Sequence, residues 1–477
     1  MDSNQVLKMQ ERFIKNKCAL GLILMLLYVC PTHAAKIVVS GKNESYAGET
    51  LELRRYTEKI LNGSESVATA KVGKEGDFRF EFDLTNECQV FLPGDAQRGY
   101  IYVEPGKSYV VEIPNKRSRT LSEKLQPYFE PNEYLFFIQN SDKKGVNMKF
   151  LQFEDAFDFF TMKCLASKGD VDTVQYSINE LNRIFADMNT KFQKNYKDYR
   201  CLLLKAQFSD PVQMNSVYSE FAKLGVDKTN PAFWDLFNNV FYNLIPNTLG
   251  SEDFYVFKKI IETSNAKMLL MHIQERYKIT DVELKELVAI KIVGDLAAAE
   301  IFDNKLVVKM LQNLSAAMTM AENKELALNV AATVGSTLVG EGAPNLVGND
   351  LNGKKHELNE FLGKYIYLNI CNSRLMKTEK DLKILDRFQQ TFDSQLQVVN
   401  IFVYDEKENV ERITKGLSGK MQVWLAPESD VLRKVYNARA IPSYYLIDTE
   451  GKFVLLRKAE PNDELRYLLL NIFDNNK

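Results

Sequence analysis

Hydrophobic periodicity changes character twice along this 477-residue chain, and each change limits what the segment can fold into. Over residues 35–118 the period is two. Phe78, Phe80 and Phe82 alternate with Arg79, Glu81 and Asp83, which sets three rings on one face of a strand and three charges on the other. Leu51 and Leu53 alternate with Glu52 and Arg54 in the same way. Tyr100, Ile101, Tyr102 and Val103 precede Glu104-Pro105-Gly106-Lys107, a tight-turn sequence, and Tyr109, Val110 and Val111 follow it. Short strands punctuated this way predict an antiparallel β-sandwich, whose tyrosines either fill the core or offer a ligand-binding face. Over residues 119–335 the period becomes helical. Phe150, Phe153, Phe157, Phe160 and Cys164 recur at steps of three and four, a stripe suited to core packing or to a partner. Thr280 with Glu283 reads as a capping box opening a further helix. No repeat is visible, so an irregular helical domain is expected. From residue 336 to 477, strand and helix patterns alternate, which predicts a central sheet covered on both faces.

Residues 1–34 read as a secretory signal. Lys8, Arg12, Lys15 and Lys17 precede an apolar stretch over residues 18–30, too short to span a bilayer comfortably. Cleavage is expected near Ala34 or Ala35. Lipid attachment at Cys30 and an uncleaved anchor are the alternatives, the first opposed by bulky Val29 before that cysteine. No later segment reaches membrane-spanning length, so an exported chain with no span after cleavage is expected, in the periplasm or cell envelope. The remaining chain carries 57 basic and 61 acidic residues without a block of either sign, which argues against nucleic acid as a partner. Cys88, Cys164, Cys201 and Cys371 remain, too far apart for a zinc motif, and His272 and His356 are the remaining histidines. No metal site and no cofactor are expected.

In the last segment, Gly342-Ala343-Pro344-Asn345, the Asn352-Gly353-Lys354-Lys355 turn and Gly363-Lys364 precede an apolar run over residues 365–370. Further on, Ile441-Pro442 precedes Tyr445-Leu446-Ile447-Asp448 and Gly451-Lys452. In order and spacing these resemble the TlpA/ResA branch of thioredoxin-like proteins, and at the start the AhpC/TSA peroxiredoxins. The resemblance covers about residues 336–477. The three-part layout is also similar to exported multidomain proteins common in Bacteroidetes, with residues 102–109 as the best local marker. The expected fold class is therefore multidomain α+β: an N-terminal antiparallel β-sandwich, a central irregular α-helical domain, and a C-terminal α/β thioredoxin-like fold.

The resemblance implies a cis-proline at Pro442, with the backbone of Ile441 beside it pairing with an extended substrate segment. It also implies a Cys-x-x-Cys turn seven residues before the first apolar contact of the following helix. Seven residues before Leu382 stands Leu375, and the turn reads Leu375-Met376-Lys377-Thr378. Dithiol exchange needs one thiolate to attack and a second thiol to resolve, and neither is present. Cys371 stands eleven residues before Leu382, where the family usually carries an aromatic residue. With Arg374 nearby it is either a buried thiol or a lone reactive one. Three functions stay open: a redox-inactive module binding a protein or peptide partner around Leu375 and Ile441-Pro442, a thiol-disulfide or peroxide-reactive enzyme using Cys371, and a purely architectural envelope protein.

Overall fold

The computed structural model describes residues 34–474 other than 128, 141, 143, 144, 300, 337, 439, 457 and 458. The leader expected over residues 1–34, with Cys30, lies outside the described residues except for Ala34. The protein is mixed α+β with three sheets. Among the described residues no helix is long and apolar enough to cross a membrane.

Nine strands form the first two sheets: β1 (Ala35–Lys42), β2 (Thr50–Tyr56), β3 (Ser64–Lys71), β4 (Asp77–Leu84), β5 (Cys88–Leu92), β6 (Gln97–Val103), β7 (Ser108–Glu112), β8 (Asn132–Leu135) and β9 (Phe137–Ile138). One sheet runs β4-β1-β7-β9 and the other β3-β2-β5-β6-β8. The period-two pattern does what it predicts on β4, where Phe78, Phe80 and Phe82 are buried and Arg79, Glu81 and Asp83 exposed. These rings share a core with Leu53, Val90 and Ile101 of the facing sheet. Two expectations need correction. The sandwich is not wholly antiparallel, because β1 pairs with β7 and β6 with β8 in parallel. Residues 132–138, expected beyond the sandwich, add an edge strand to each sheet and contribute Phe136 to its core. Leu135 packs outward against the helices while Tyr134 and Phe136 point inward, so residues 134–138 are apolar throughout and show no alternation in sequence.

A short helix α1 (Leu121–Leu125) lies between β7 and β8. Ten helices follow: α2 (Val146–Ala166), α3 (Val171–Ile184), α4 (Lys191–Gln207), α5 (Met214–Leu224), α6 (Pro231–Val240), α7 (Glu252–Glu262), α8 (Ala266–Tyr277), α9 (Val282–Ala299), α10 (Asn304–Ala317) and α11 (Ala321–Gly335). The phenylalanine stripe of α2 is core, not surface. It meets the sandwich at Tyr102, whose ring centre is 4.1 Å from that of Phe150. Buried Asn147 accepts from the Tyr102 N–H at 2.9 Å and donates to its carbonyl at 2.8 Å. That fastens a strand of one region to a helix of the next.

The third sheet has the order β11-β10-β14-β13-β12-β15-β16. Its strands are β10 (Val347–Asp350), β11 (Lys355–Glu357), β12 (Tyr365–Cys371), β13 (Leu396–Phe402), β14 (Gln422–Leu425), β15 (Ser443–Ile447) and β16 (Phe453–Leu456). Helices α12 (Met376–Thr391), α13 (Lys407–Thr414), α14 (Ser429–Val435) and α15 (Asp463–Asp474) complete the module. Central β12 is parallel to β13 and antiparallel to β15. A separate apolar core covers each face, and among the described residues both draw on positions from 343 onward. Helix α13 and strand β14 have no counterpart in the sequence expectation: β14 is four residues long and half-buried, too short to show a period.

Candidate functional site

The site forms where β12 ends and α12 begins. Register pairs Ile370 of β12 with Ser443 of β15, so the loop over residues 372–375 and the Ile441-Pro442 step leave adjacent strands at the same end of the sheet. The Ile441–Pro442 peptide is cis. The loop itself is tightly held. Buried Asn372 donates to the Val403 carbonyl at 2.8 Å, and its side-chain oxygen accepts from the Arg374 N–H at 3.0 Å. Asp405 accepts from the Ser373 N–H at 2.5 Å and from its hydroxyl at 2.8 Å. Short polar side chains that bond nearby backbone favour such a turn over continuation of the strand.

Leu375 is the N-cap residue of α12 and is half-buried, with no side-chain cap bond. Met376 follows with its side chain 85% exposed. Lys377 pairs with Glu460 at 3.0 Å and reaches over the Tyr444 ring at 5.7 Å, which links the helix start to the strand after Pro442. Thr378 is fully buried, and its hydroxyl finds no hydrogen-bond partner among the described residues.

Cys371 is the last residue of β12, 0% exposed, with its sulfur 3.8 Å from the Ile401 carbonyl. Burial pushes its thiol well above the usual range, and the carboxylates of Asp405 and Asp381 push in the same direction. A thiol in that setting stays protonated at neutral pH and is a poor nucleophile.

Sequence reasoning missed the carboxyl beneath the turn. Asp381, one turn beyond Thr378, is 5% exposed and accepts a 2.5 Å hydrogen bond from the Tyr444 hydroxyl. Desolvation raises its pKa, opposed by the Tyr444 bond and by Lys377 and reinforced by Glu460. In sequence Asp381 looks like one more solvated helix charge, and Tyr444 like an ordinary strand residue 63 positions away. The signal available was positional: Asp381 adjoins Leu382, the first buried apolar residue of α12.

With that geometry described, comparison with known proteins is informative. The chain is 31% identical over 145 residues to the thiol-disulfide oxidoreductase ResA of Bacillus subtilis, covering 30% of this chain and 80% of the relative. It is 30% identical over 129 residues to the ResA of Bacillus thuringiensis, covering 26% and 73%. The chain belongs to the ResA-type thioredoxin-like family. No family profile matches it. Among solved structures, the thioredoxin domain of a thiol-disulfide oxidoreductase from Bacteroides vulgatus aligns at 23% identity and a TM-score of 0.26, covering 28% of this chain and 96% of that one. The matched relatives are named for thiol-disulfide chemistry, and at the start of α12 this chain reads Leu375-Met376-Lys377-Thr378.

Proposed function

We propose that this is an exported ResA-type thioredoxin-like protein without dithiol chemistry, which binds an extended peptide or protein segment of the cell envelope around Leu375, Met376, Ile441 and Pro442. The observation that carries this reading is the start of α12, where Leu375 is the half-buried N-cap residue and Thr378 is buried, and we read these as the attacking and resolving positions of the family. Attack on a disulfide and resolution of the mixed disulfide both require thiols there. The cis Ile441–Pro442 step is present, which supports reading this end of the sheet as a recognition surface. Exposed Met376 supplies an apolar contact at the groove's edge. No observation favours a thiol-disulfide or peroxide-reactive enzyme built on Cys371, whose sulfur is buried and protonated.

The test is photocrosslinking in the native envelope from Leu375, from Ile441 and from distal Lys420. The same partner captured from the first two positions and not from Lys420 supports the reading. Capture from all three alike, or from Lys420 alone, contradicts it and favours a purely architectural role.

A further inference from the structure

Between β7 and β8 the chain leaves the sandwich and crosses onto the thioredoxin-like module. Arg119 is anchored on the sandwich side by Asp95, at 2.6 Å to its Nε and 2.8 Å to its backbone N–H, and reaches Asp430 at 3.1 Å. Five residues on, the Lys124 ammonium stands 5.4 Å from the centre of the Tyr404 ring. The segment between is stiffened by the Thr120–Glu123 capping box and by Arg117, which forks onto Glu123 at 2.9 and 3.0 Å.

Arg433 of α14 joins this segment to the groove. Its Nη1 donates to the Lys124 carbonyl, and its Nε donates to the Ala438 carbonyl at 2.9 Å. Ala438 lies three residues before Ile441, and residues 436–438 are the wall that leads toward the cis-proline step. One side chain therefore touches both the segment and the wall. Two non-glycine residues in the segment's footprint have left-handed backbone, Tyr404 with φ of 52° and Asn437 with φ of 49°. Such conformations persist where surrounding contacts over-determine them. Tyr404 is held by Asp430, which accepts from its hydroxyl at 2.6 Å, and by Ser429, which accepts from its N–H at 2.9 Å. On the other flank, a cavity of about 690 Å³ opens between Leu121 and Lys124 of the segment and Arg374 and Asp405 of the loop before α12.

We propose that residues 117–126 are a strap by which the sandwich sets the conformation of the cis-proline wall, through Arg433. The proposal rests on the reading that the groove binds a peptide, and it adds the regulation of that groove. Because coupling between two sites is reciprocal, a partner that shifts the wall also loosens or tightens the strap. Arg433 is thus a positioning residue.

Hydrogen exchange on the whole mature chain tests this without any partner. Arg119→Ala touches the strap and not the wall. It is expected to accelerate the amides of residues 123–125 and also those of Tyr436, Asn437 and Ala438, by about ten-fold, the scale of one lost charge-assisted hydrogen bond. Helix α12 and strand β12 should exchange as in the parent. Asp430→Asn, which removes the same ion pair from the other side, is expected to do likewise and serves if Arg119→Ala does not fold. Lys420→Ala, which removes an exposed pair with Asp393, should move neither segment. Acceleration of residues 123–125 alone would overturn the proposal, as would equal acceleration of residues 436–438 in Lys420→Ala. The peptide-binding reading is judged separately by crosslinking from Leu375 and Ile441, so the two can fail independently.

Discussion

A hydroxyl at position 378 occupies a buried site that suits a thiol, since a thiol is a weak donor and tolerates lacking a partner. An unsatisfied buried hydroxyl costs about 1–3 kcal/mol. Thr378→Val, nearly the same shape, should therefore raise unfolding free energy by about 1 kcal/mol in urea denaturation. A loss of similar size would mean the hydroxyl has a partner. Asp381 gives a prediction in pH. Its pKa is raised in the folded protein, so the folded state holds the proton more tightly than the unfolded chain does. The stability it contributes is full below about pH 4, the unfolded carboxyl value, and is lost as pH rises through the raised value. Asp381→Asn keeps an acceptor for Tyr444 and removes the titration. Its melting temperature should fall less than the parent's from pH 4 to 8, and parallel profiles would contradict the assignment. At this scale the sequence pointed to Leu375, Thr378 and the Ile441-Pro442 step by motif spacing, and the structure places the first two at the start of α12 and makes the third a cis peptide. The sequence could not disclose Asp381 with Tyr444, because a partnership across 63 residues exists only once β15 lies beside β12.

Among the elements, the joint between β6 and α2 depends on Asn147, which satisfies both backbone groups of buried Tyr102. Asn147→Ala leaves both unpaired, and a loss of about 2–3 kcal/mol is expected, read as a lowered urea midpoint with unchanged slope. Elements with a clean period were legible: β4 by its alternating rings, α2 by its phenylalanine stripe. Those without one were not. Residues 134–138 are apolar without alternation, with Tyr134, Phe136 and Ile138 on the sandwich core, Leu135 against the helices and Phe137 exposed. The start of α9 was misplaced by a single residue. Asp281, not Thr280, accepts from the Leu284 N–H at 2.7 Å, and adjacent capping residues compete in sequence on nearly equal terms.

For the molecule as a whole, the distribution of core residues predicts how it comes apart. The sandwich and helices meet through Tyr102 and Phe150, whereas among the described residues the thioredoxin-like cores use none before 343. The chain's two tryptophans fall on either side of this divide, Trp234 among the helices and Trp424 in the third sheet. Phe150→Ala should cost about 3–5 kcal/mol in the first unit. The transition seen by Trp234 in a Trp424→Phe background should move, and the one seen by Trp424 in a Trp234→Phe background should not. Equal movement of both would mean a single cooperative unit. The account as a whole turns on whether the groove survives without its chemistry, and insulin-disulfide reduction tests this most directly, with the mature chain beside its Cys371→Ser and Leu375→Cys/Thr378→Cys variants. The account predicts no turnover by the parent or by Cys371→Ser, and a gain of reductase activity when both cysteines are introduced at the start of α12. Turnover by the parent that disappears in Cys371→Ser would contradict it and make Cys371 a working thiol.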